Sequence, residues 1–535
     1  MYLVSNQEMA LLDKGTIEEF GVPGMVLMEH AALRVVELLS RYYGKLTHKR
    51  AMILAGKGNN GGDGLAIARL LINGDVNVTV FLLCSPEELK GDALTNYRIL
   101  QNWGAKIHHL SNEKDLQRVD IALMCTDFIV DAIYGTGFKG SITGMTAELI
   151  KIVNDSGLPV FAVDIPSGLD ANTGKVAGPC IQAQATVTFG MPKLGLLLEP
   201  GSKYVGELWL GDISLPNKLI QSSRLKVSLI TAEDVVAKLP QRPRSAHKGT
   251  FGHVIAVGGS EGMTGAIYLA ATAAIKSGAG LVTAAVPKSL HGIMEMKTLE
   301  VMTRPLPETE AISIGQEALG TIAELAGAGN ALVLGPGLSQ HVSTSNLLMQ
   351  LLPKLDKPLV LDADALNIIS TNDPKKTLMA IKAPVIITPH PGEMSRLMGI
   401  PVREVQQNRV EIARKAAAEW KVIVALKGAK TLVAHPDGRI YVNPTGNPGM
   451  ATGGSGDVLA GIIASFLAQG LNALDAAVAG VYVHGLAGDL AGLHQGQAGL
   501  TAGDLLAELP KALMSLETGT YPNLPQINER LNRII

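Results

Sequence analysis

At 535 residues the chain is too long for one hydrophobic core, and its length fits about two to four domains, most simply two large ones with a site in each. Lys plus Arg total 46 against 48 for Asp plus Glu, which excludes a basic field for nucleic acid or an anionic membrane and makes a small metabolite the expected partner. Glycine is abundant (59) and aromatics are scarce (4%), a balance that suits an α/β enzyme with tight strand-to-helix turns and not an all-β interaction module.

The first thirteen residues carry no basic n-region and no apolar core of signal-peptide length. Cys84, Cys125 and Cys180 have no CxxC spacing, so neither a disulfide framework nor zinc is expected, and the compartment reads as reducing and cytoplasmic. Short Val- and Ile-rich strands then alternate with amphipathic segments, the pattern of parallel sheets joined by helices. In the first half we expect strands at 51–55, 76–83, 129–133, 160–164, 185–189 and 207–210.

The first of these runs into Gly56-Lys-Gly-Asn-Asn-Gly-Gly-Asp-Gly64 and a helical pattern, the strand, glycine loop and helix order of dinucleotide binding. Its spacing departs from G-x-G-x-x-G, and Asn59, Asn60 and Asp63 add side chains that a plain phosphate turn does not need, so they are expected to touch ligand or ion. A second strand ends at Asp131 and opens into Gly135-Thr-Gly-Phe-Lys-Gly-Ser141, and a third ends in Val163-Asp-Ile-Pro-Ser-Gly-Leu-Asp170. Open parallel sheets place ligands at such strand ends. Asn60, Asp131 and Ser167 offer oxygen donors suited to a hard cation, and each alone reads equally as a helix or turn cap. Asp164 and Lys139 are candidates for acid–base work, although Lys139 is equally a solvated loop charge.

Periodicity lapses over 213–224, which sets the expected domains at 1–220 and 226–535. In the second half we expect strands at 254–257, 281–285, 331–334, 359–362, 385–388 and 422–426, then a hairpin around His435-Pro-Asp-Gly438. The stretch 458–492 is Ala- and Gly-rich, but Gln469, Asp475, His484 and Asp489 break it into pieces shorter than a bilayer span, so two buried helices are expected.

The most informative run is Asn447-Pro-Gly-Met-Ala-Thr-Gly-Gly-Ser-Gly-Asp457, followed directly by an apolar helical stretch. Glycines let backbone N–H groups converge on an anion at a helix N-terminus, and Asp457 stands where a phosphoryl acceptor's hydroxyl would lose its proton. Asp362, Asp364, Asn367 and Glu393 either hold magnesium between phosphates or serve strand-end turns. His390 has no His or Cys at metal-ligand spacing and reads as a ligand contact or a structural histidine. Lys427 and Thr431 either face nucleotide phosphate or lie in solvent.

Gly58-Asn-Asn-Gly-Gly-Asp-Gly64, Asp131-Ala-Ile-Tyr-Gly-Thr-Gly-Phe-Lys-Gly140 and Val163-Asp-Ile-Pro-Ser-Gly168 resemble the NAD(P)HX epimerase family, which interconverts the C6 epimers of hydrated NADH and NADPH. The resemblance implies a Rossmann-like three-layer αβα domain with potassium at Asn60, Asp131 and Ser167. It implies substrate along Asn59, Asn60, Gly61, Gly62 and Asp63, along Gly135, Thr136, Gly137, Phe138, Lys139, Gly140 and Ser141, and at Asp164.

His247-Lys-Gly-Thr-Phe-Gly-His253, Pro389-His-Pro-Gly-Glu393, Lys427-Gly-Ala-Lys-Thr431 and Gly453-Gly-Ser-Gly-Asp457 resemble the ribokinase-like superfamily, and within it the NAD(P)H-hydrate dehydratases. This implies a ribokinase-like αβα domain whose Ala266, Gly337, His390 and Asp457 contact the hydrated nicotinamide. The nucleotide would lie along Lys427, Gly428, Ala429, Lys430 and Thr431 and at Gly456. Together the resemblances imply a bifunctional repair enzyme that epimerises hydrated NAD(P)H and dehydrates the S form with Mg2+ and ADP, giving AMP and phosphate. No nucleic acid or membrane partner and a homo-oligomeric state are expected with it. The rival reading is a small-molecule kinase of a vitamin precursor or sugar, with a noncatalytic N-terminal ligand- or protein-binding domain.

Overall fold

The computed structural model of the chain describes residues 1–520 and 531–534. They divide into two compact units, one made of residues 2–225 with 531–534 and the other of Met1 with 226–520.

The first unit is built on an eight-stranded sheet in the order Leu531–Arg533, Glu207–Gly211, Ala185–Phe189, Val160–Val163, Phe128–Ala132, Arg50–Ala55, Asn77–Leu82 and Lys106–His109. Every pair is parallel except the first. Because side chains alternate along a strand, Ile53 and Ala55 enter one apolar core while Met52 and Leu54 enter another. Helices Gly24–Tyr43 and Asn59–Asn73 supply the first core, and Leu116–Leu123 and Gly144–Asp155 the second. The result is the expected three-layer arrangement. Strand order reverses between Arg50–Ala55 and Phe128–Ala132, so the loops after Ala55 and Ala132 part there and leave a crevice at the strand C-termini.

The expected second domain, 226–535, needs correction at its end. Leu531–Arg533 pairs antiparallel with Glu207–Gly211, Leu531 opposite Gly211, and completes the first unit's sheet. A three-residue strand shows no periodicity in sequence, and its place follows from the open edge it covers. Residues 521–530 and 535 lie outside the described residues.

The second unit's sheet runs Val227–Leu229, Ile440–Val442, Leu432–Ala434, Ile423–Leu426, Val385–Ile387, Leu359–Leu361, Ala331–Leu334, His253–Val257, Leu281–Pro287 and Met302–Leu306. Its central strands are buried at every position, so both faces are covered, as in parallel sheets generally. Leu432–Ala434 and Ile440–Val442 form the expected hairpin about His435-Pro-Asp-Gly438, with Ala434 opposite Ile440. The helices Thr264–Lys276, Ser455–Ala468, Ala473–Gln495 and Ala502–Thr518 pack on one another. Ala473–Gln495 is long and apolar enough to cross a bilayer, but most of it is buried inside the unit, as expected for a core helix.

Five strands were not anticipated in addition to the differences at element ends: Tyr2–Leu3, Lys106–His109, Val227–Leu229, Met302–Leu306 and Leu531–Arg533. Each is short, and sequences such as Lys-Ile-His-His carry neither strict alternation nor a continuous apolar run.

Candidate active sites

In the first unit the loops after Ala55 and Ala132 and the helix Asn6–Glu18 surround a cavity of about 680 Å3. Its wall includes Asn59, Asn60, Asp63, Gly135, Thr136, Gly137, Phe138, Lys139 and Asp164, so most of the expected substrate residues share one space. Gly61 and Gly62 shape the loop from within. A Cβ on Gly61 would stand 1.8 Å from the Gly56 carbonyl oxygen, and one on Gly62 would stand 2.7 Å from the Met28 methyl group. Gly140 and Ser141 are exposed and lie beyond the cavity wall.

Asp131 is fully buried at its strand end. It accepts hydrogen bonds from the Ser167 backbone N–H (2.8 Å), the Ser167 hydroxyl (2.6 Å) and the Ile133 N–H (3.3 Å). Burial nevertheless raises its carboxyl to about 6, against the lowering effect of those donors. Ser167 Oγ also accepts from the Tyr134 N–H, and Gly135 packs against the Asn60 side chain. The three expected cation ligands therefore gather around the Ile133–Gly135 turn. The Asn60 amide nitrogen is buried without a hydrogen-bond partner. Turned end for end, the amide would offer an oxygen beside a buried carboxylate, a donor set that fits a hard monovalent cation.

Asp164 sits at φ 64°, in the left-handed region that non-glycine residues seldom occupy. Its Oδ1 accepts from the Lys193 ammonium (2.5 Å), the Thr188 hydroxyl (3.0 Å) and the Phe189 N–H (3.3 Å). Lys193 is 1% exposed and was missed in sequence, where an isolated Pro-Lys pair carries no signal. Asp13, on the amphipathic helix Asn6–Glu18, was missed as well. Burial lifts its carboxyl to about 6, with Lys193 opposing and Asp164 adding to the rise. Burial also holds Asp63 well above the usual carboxylate range, and the charges of Asp164 and Asp13 raise it further.

In the second unit the chemistry collects around Lys427, at the end of strand Ile423–Leu426. Its ammonium lies 2.7 Å from Asp362 and 3.7 Å from Glu393, both buried. Burial pulls the lysine's pKa down, but Asp362 and Glu393 outweigh that and leave it raised. The helix Ser455–Ala468 starts against this group. Gly454, its N-cap, adopts φ 89°, and a Cβ on Gly456 would stand 3.0 Å from Lys427 Nζ. Asp457, in the helix's first turn, is raised to about 7 by burial and then by Asp362, with Lys427 opposing. A base whose pKa lies near neutrality is suited to proton abstraction.

His484 steadies this loop from below. Burial lowers it to about 4, so the ring is neutral, and its Nε2 lies 2.9 Å from the Ser455 carbonyl oxygen. Asp489 accepts from the Gly446 N–H (2.9 Å) and the Asn447 amide (3.1 Å), tying the incoming loop to the same helix. Arg409 clamps the other loop through the carbonyls of Ala429, Leu426 (3.2 Å) and Lys427 (3.4 Å). These three residues gave no motif in sequence because each acts from another element.

The expected magnesium set divides. Asp362 and Glu393 meet at Lys427, whereas Asp364 accepts from the Ser339 N–H (2.9 Å) and Asn367 accepts from the Arg396 guanidinium (2.8 Å). His390 Nδ1 accepts from the Gly392 and Glu393 N–H groups and caps the helix Pro391–Met398, while Nε2 lies 3.5 Å from the Glu393 carboxylate. Lys430 Nζ donates to the Pro444 carbonyl (2.7 Å) and Thr431 Oγ1 to that of Gly428 (3.2 Å), while Ala266 and Gly337 stand side by side.

Two family descriptions match the chain, YjeF-related protein N-terminus over residues 24–195 and NAD(P)H-hydrate dehydratase over residues 254–511. The bifunctional NAD(P)H-hydrate repair enzyme Nnr of Moorella thermoacetica is 51% identical over 518 residues, 97% of each chain. Proteins of the same name from Thermofilum pendens and Coxiella burnetii are 40% and 37% identical, over 95% and 85% of this chain and 95% and 88% of theirs. At that identity and coverage, with a strand-end site in each unit, the chain belongs to the family of bifunctional NAD(P)H-hydrate repair enzymes.

Proposed function

We propose that the first unit interconverts the R and S epimers of hydrated NADH and NADPH and that the second dehydrates the S epimer with ADP. The observation that carries this reading is the position of Asp457, in the first turn of a glycine-led helix beside the Lys427, Asp362 and Glu393 cluster.

Hydroxide is a poor leaving group and phosphate a good one. Asp457 takes the proton of the C6 hydroxyl as its oxygen attacks the terminal phosphorus of ADP, and AMP departs. Backbone N–H groups of 454–456 and the Lys427 ammonium meet the charge that develops on the transferring phosphoryl group. The C6–O bond then breaks with the electron pair leaving on phosphate, and loss of a C5 proton restores the dihydronicotinamide. Among the described residues no three His, Cys, Asp or Glu side chains form a metal cage. Mg2+ would therefore be held by nucleotide phosphates together with Asp362 and Glu393, where it supplies further positive charge. His390 Nε2, with Ala266 and Gly337, would border the nicotinamide.

In the first unit, Asn60, Asp131 and Ser167 would hold potassium, which supplies the positive charge that the buried Asp131 lacks. Loss and return of water at C6 interconverts the epimers, with Asp164 moving a proton. Fusion of the units lets the R epimer drain through the S-specific step.

The test is to incubate the purified full chain with mixed epimers of hydrated NADH, Mg2+ and either ADP or ATP, and to follow the reduced-cofactor absorbance. Full recovery with AMP and phosphate as products is expected. A stable phosphorylated product and no recovered NADH would favour the small-molecule kinase reading.

A further inference from the structure

The first unit's cavity holds more titratable groups than one proton transfer requires. Asp13, Asp63, Asp164 and Lys193 all line it, and Lys57, Asp92, Tyr134 and Lys139 complete its charged and titratable wall.

Lys193 is not placed to touch substrate. Its ammonium has three protons, and it makes three hydrogen bonds: to Asp164 Oδ1 at 2.5 Å, Thr188 Oγ1 at 3.2 Å and the Phe189 carbonyl at 3.0 Å. Thr188 Oγ1 and the Phe189 N–H donate to that same Asp164 Oδ1. The hydrogen bonds that the Asp164 carboxylate accepts thus converge on one oxygen, which fixes the carboxylate and leaves Oδ2 for chemistry. The strained backbone at Asp164 is held by the same contacts.

We propose that this cavity separates acid from base: Asp164, fixed by Lys193, is the base for water, and Asp63 is the acid that protonates the departing C6 hydroxyl. The inference rests on the epimerase reading of this unit and assigns its residues. As the N1 lone pair forms a C6=N1 bond, the C6–O bond breaks, Asp63 gives its proton to the leaving oxygen, and water departs. A water on the opposite ring face then attacks C6 and gives its proton to Asp164 Oδ2. The product is the inverted alcohol, with one proton moved from Asp63 to Asp164, and the reverse conversion moves it back. Carboxylates around the cavity stabilise the cationic ring between the two steps.

The environments of the two acids differ. Asp63 is buried and faces the charges of Asp164 and Asp13, which favours its protonated form, while Asp164 is bonded directly to the Lys193 ammonium. Lys193 is accordingly a positioning residue and Asp63 a catalytic one.

The test measures exchange between purified R and S epimers by the full chain across pH, in 18O-labelled water, with S-epimer dehydration as the control for intact protein. The parent should take up 18O at C6 with each inversion. Asp63→Asn should slow exchange by about 100-fold or more and remove the decline at high pH. Lys193→Met should slow exchange similarly and change the shape of the pH profile, because the contact that fixes Asp164 Oδ1 is lost; a purely structural loss would lower the rate alike at every pH. Exchange without 18O uptake, or an Asp63→Asn rate within about threefold of the parent, overturns the proposal. So does a Lys193→Met variant that keeps the parent's pH profile. If Lys193→Met does not fold, the Asp63→Asn result decides alone. A parent that never interconverts the epimers overturns the epimerase reading itself.

Discussion

Both units bury a lysine against an aspartate at the end of a parallel strand, Lys193 on Asp164 at 2.5 Å and Lys427 on Asp362 at 2.7 Å, but they use the pair differently. Lys193 has its hydrogen bonds filled by protein, and the neighbours beyond it are the carboxyl groups of Asp13 and Asp63. Lys427 instead faces a glycine-led helix N-terminus and has two further carboxyl groups, Glu393 and Asp457, within reach. The first arrangement gathers carboxyl groups around the cavity where the proposed ring cation would form. The second sets one ammonium and three carboxyl groups before a helix N-terminus, where the proposed phosphoryl transfer would take place. On the proposed reading, one local motif would support proton transfer in one unit and group transfer in the other, according to what surrounds it.

Several experiments break or sharpen this contrast. The largest effect is expected for Asp457→Ala, which should lower S-epimer dehydration by about 1,000-fold while epimer exchange proceeds at the parent's rate; recovery of NADH at full speed would remove Asp457 from the mechanism. Next comes Asp164→Asn, expected to slow epimer exchange by about 100-fold or more with S-epimer dehydration unchanged. Chromatographic separation of the epimers reads it out, and equal exchange rates would discard the assignment.

Packing gives a matched pair of smaller effects. A Cβ at Gly61 would stand 1.8 Å from the Gly56 carbonyl oxygen in the first unit, and one at Gly461 would stand 2.0 Å from the Ala270 carbonyl oxygen in the second. Each Gly→Ala change should destabilise by about 2–3 kcal/mol, seen by calorimetry and by loss of one activity before the other. If both activities fall together in either variant, the two units do not unfold separately.

The smallest effects are pH-dependent. Burial, then Asp362, lifts Asp457 to about 7, so its base form grows as pH rises through that value. The kcat/KM for dehydration should rise about fivefold from pH 6 to 7 and about twofold more by pH 8 before it levels, and a flat profile would exclude Asp457 as the limiting base. A carboxyl whose folded pKa exceeds its unfolded value of 3.8 favours folding below that value, and the benefit disappears as pH rises through about 7. Asp457→Asn should therefore raise the melting temperature by at least about 2 °C at pH 8 and leave it unchanged at pH 4. No difference at pH 8 would mean that the carboxyl is solvated in solution.

Much of each site was legible where a loop carries its chemistry in consecutive residues. The 56–64 loop, the Gly135–Ser141 run and the Gly453–Asp457 run each announce a backbone that approaches something closely, and each lies at a strand end or helix start. Residues acting from another element left no such trace. Asp13 is one polar position on an amphipathic helix, Lys193 follows a proline in a loop, Arg409 opens a helix, and His484 lies within an apolar one. Asp364 and Asn367 show the converse: their spacing suggested a metal, but their partners are Ser339 and Arg396.

The order of strands, glycine loops and helices was determined by sequence alone, because turn geometry and hydrophobic periodicity are local properties written in neighbouring residues. Tertiary structure decided which charges share a cavity. Ionisation depends on burial and on groups brought together from distant positions, such as Asp13 beside Asp164 and Lys427 beside Asp362. It also decided that the last strand completes the first sheet, since an open edge selects its partner by fit and not by any pattern in three residues.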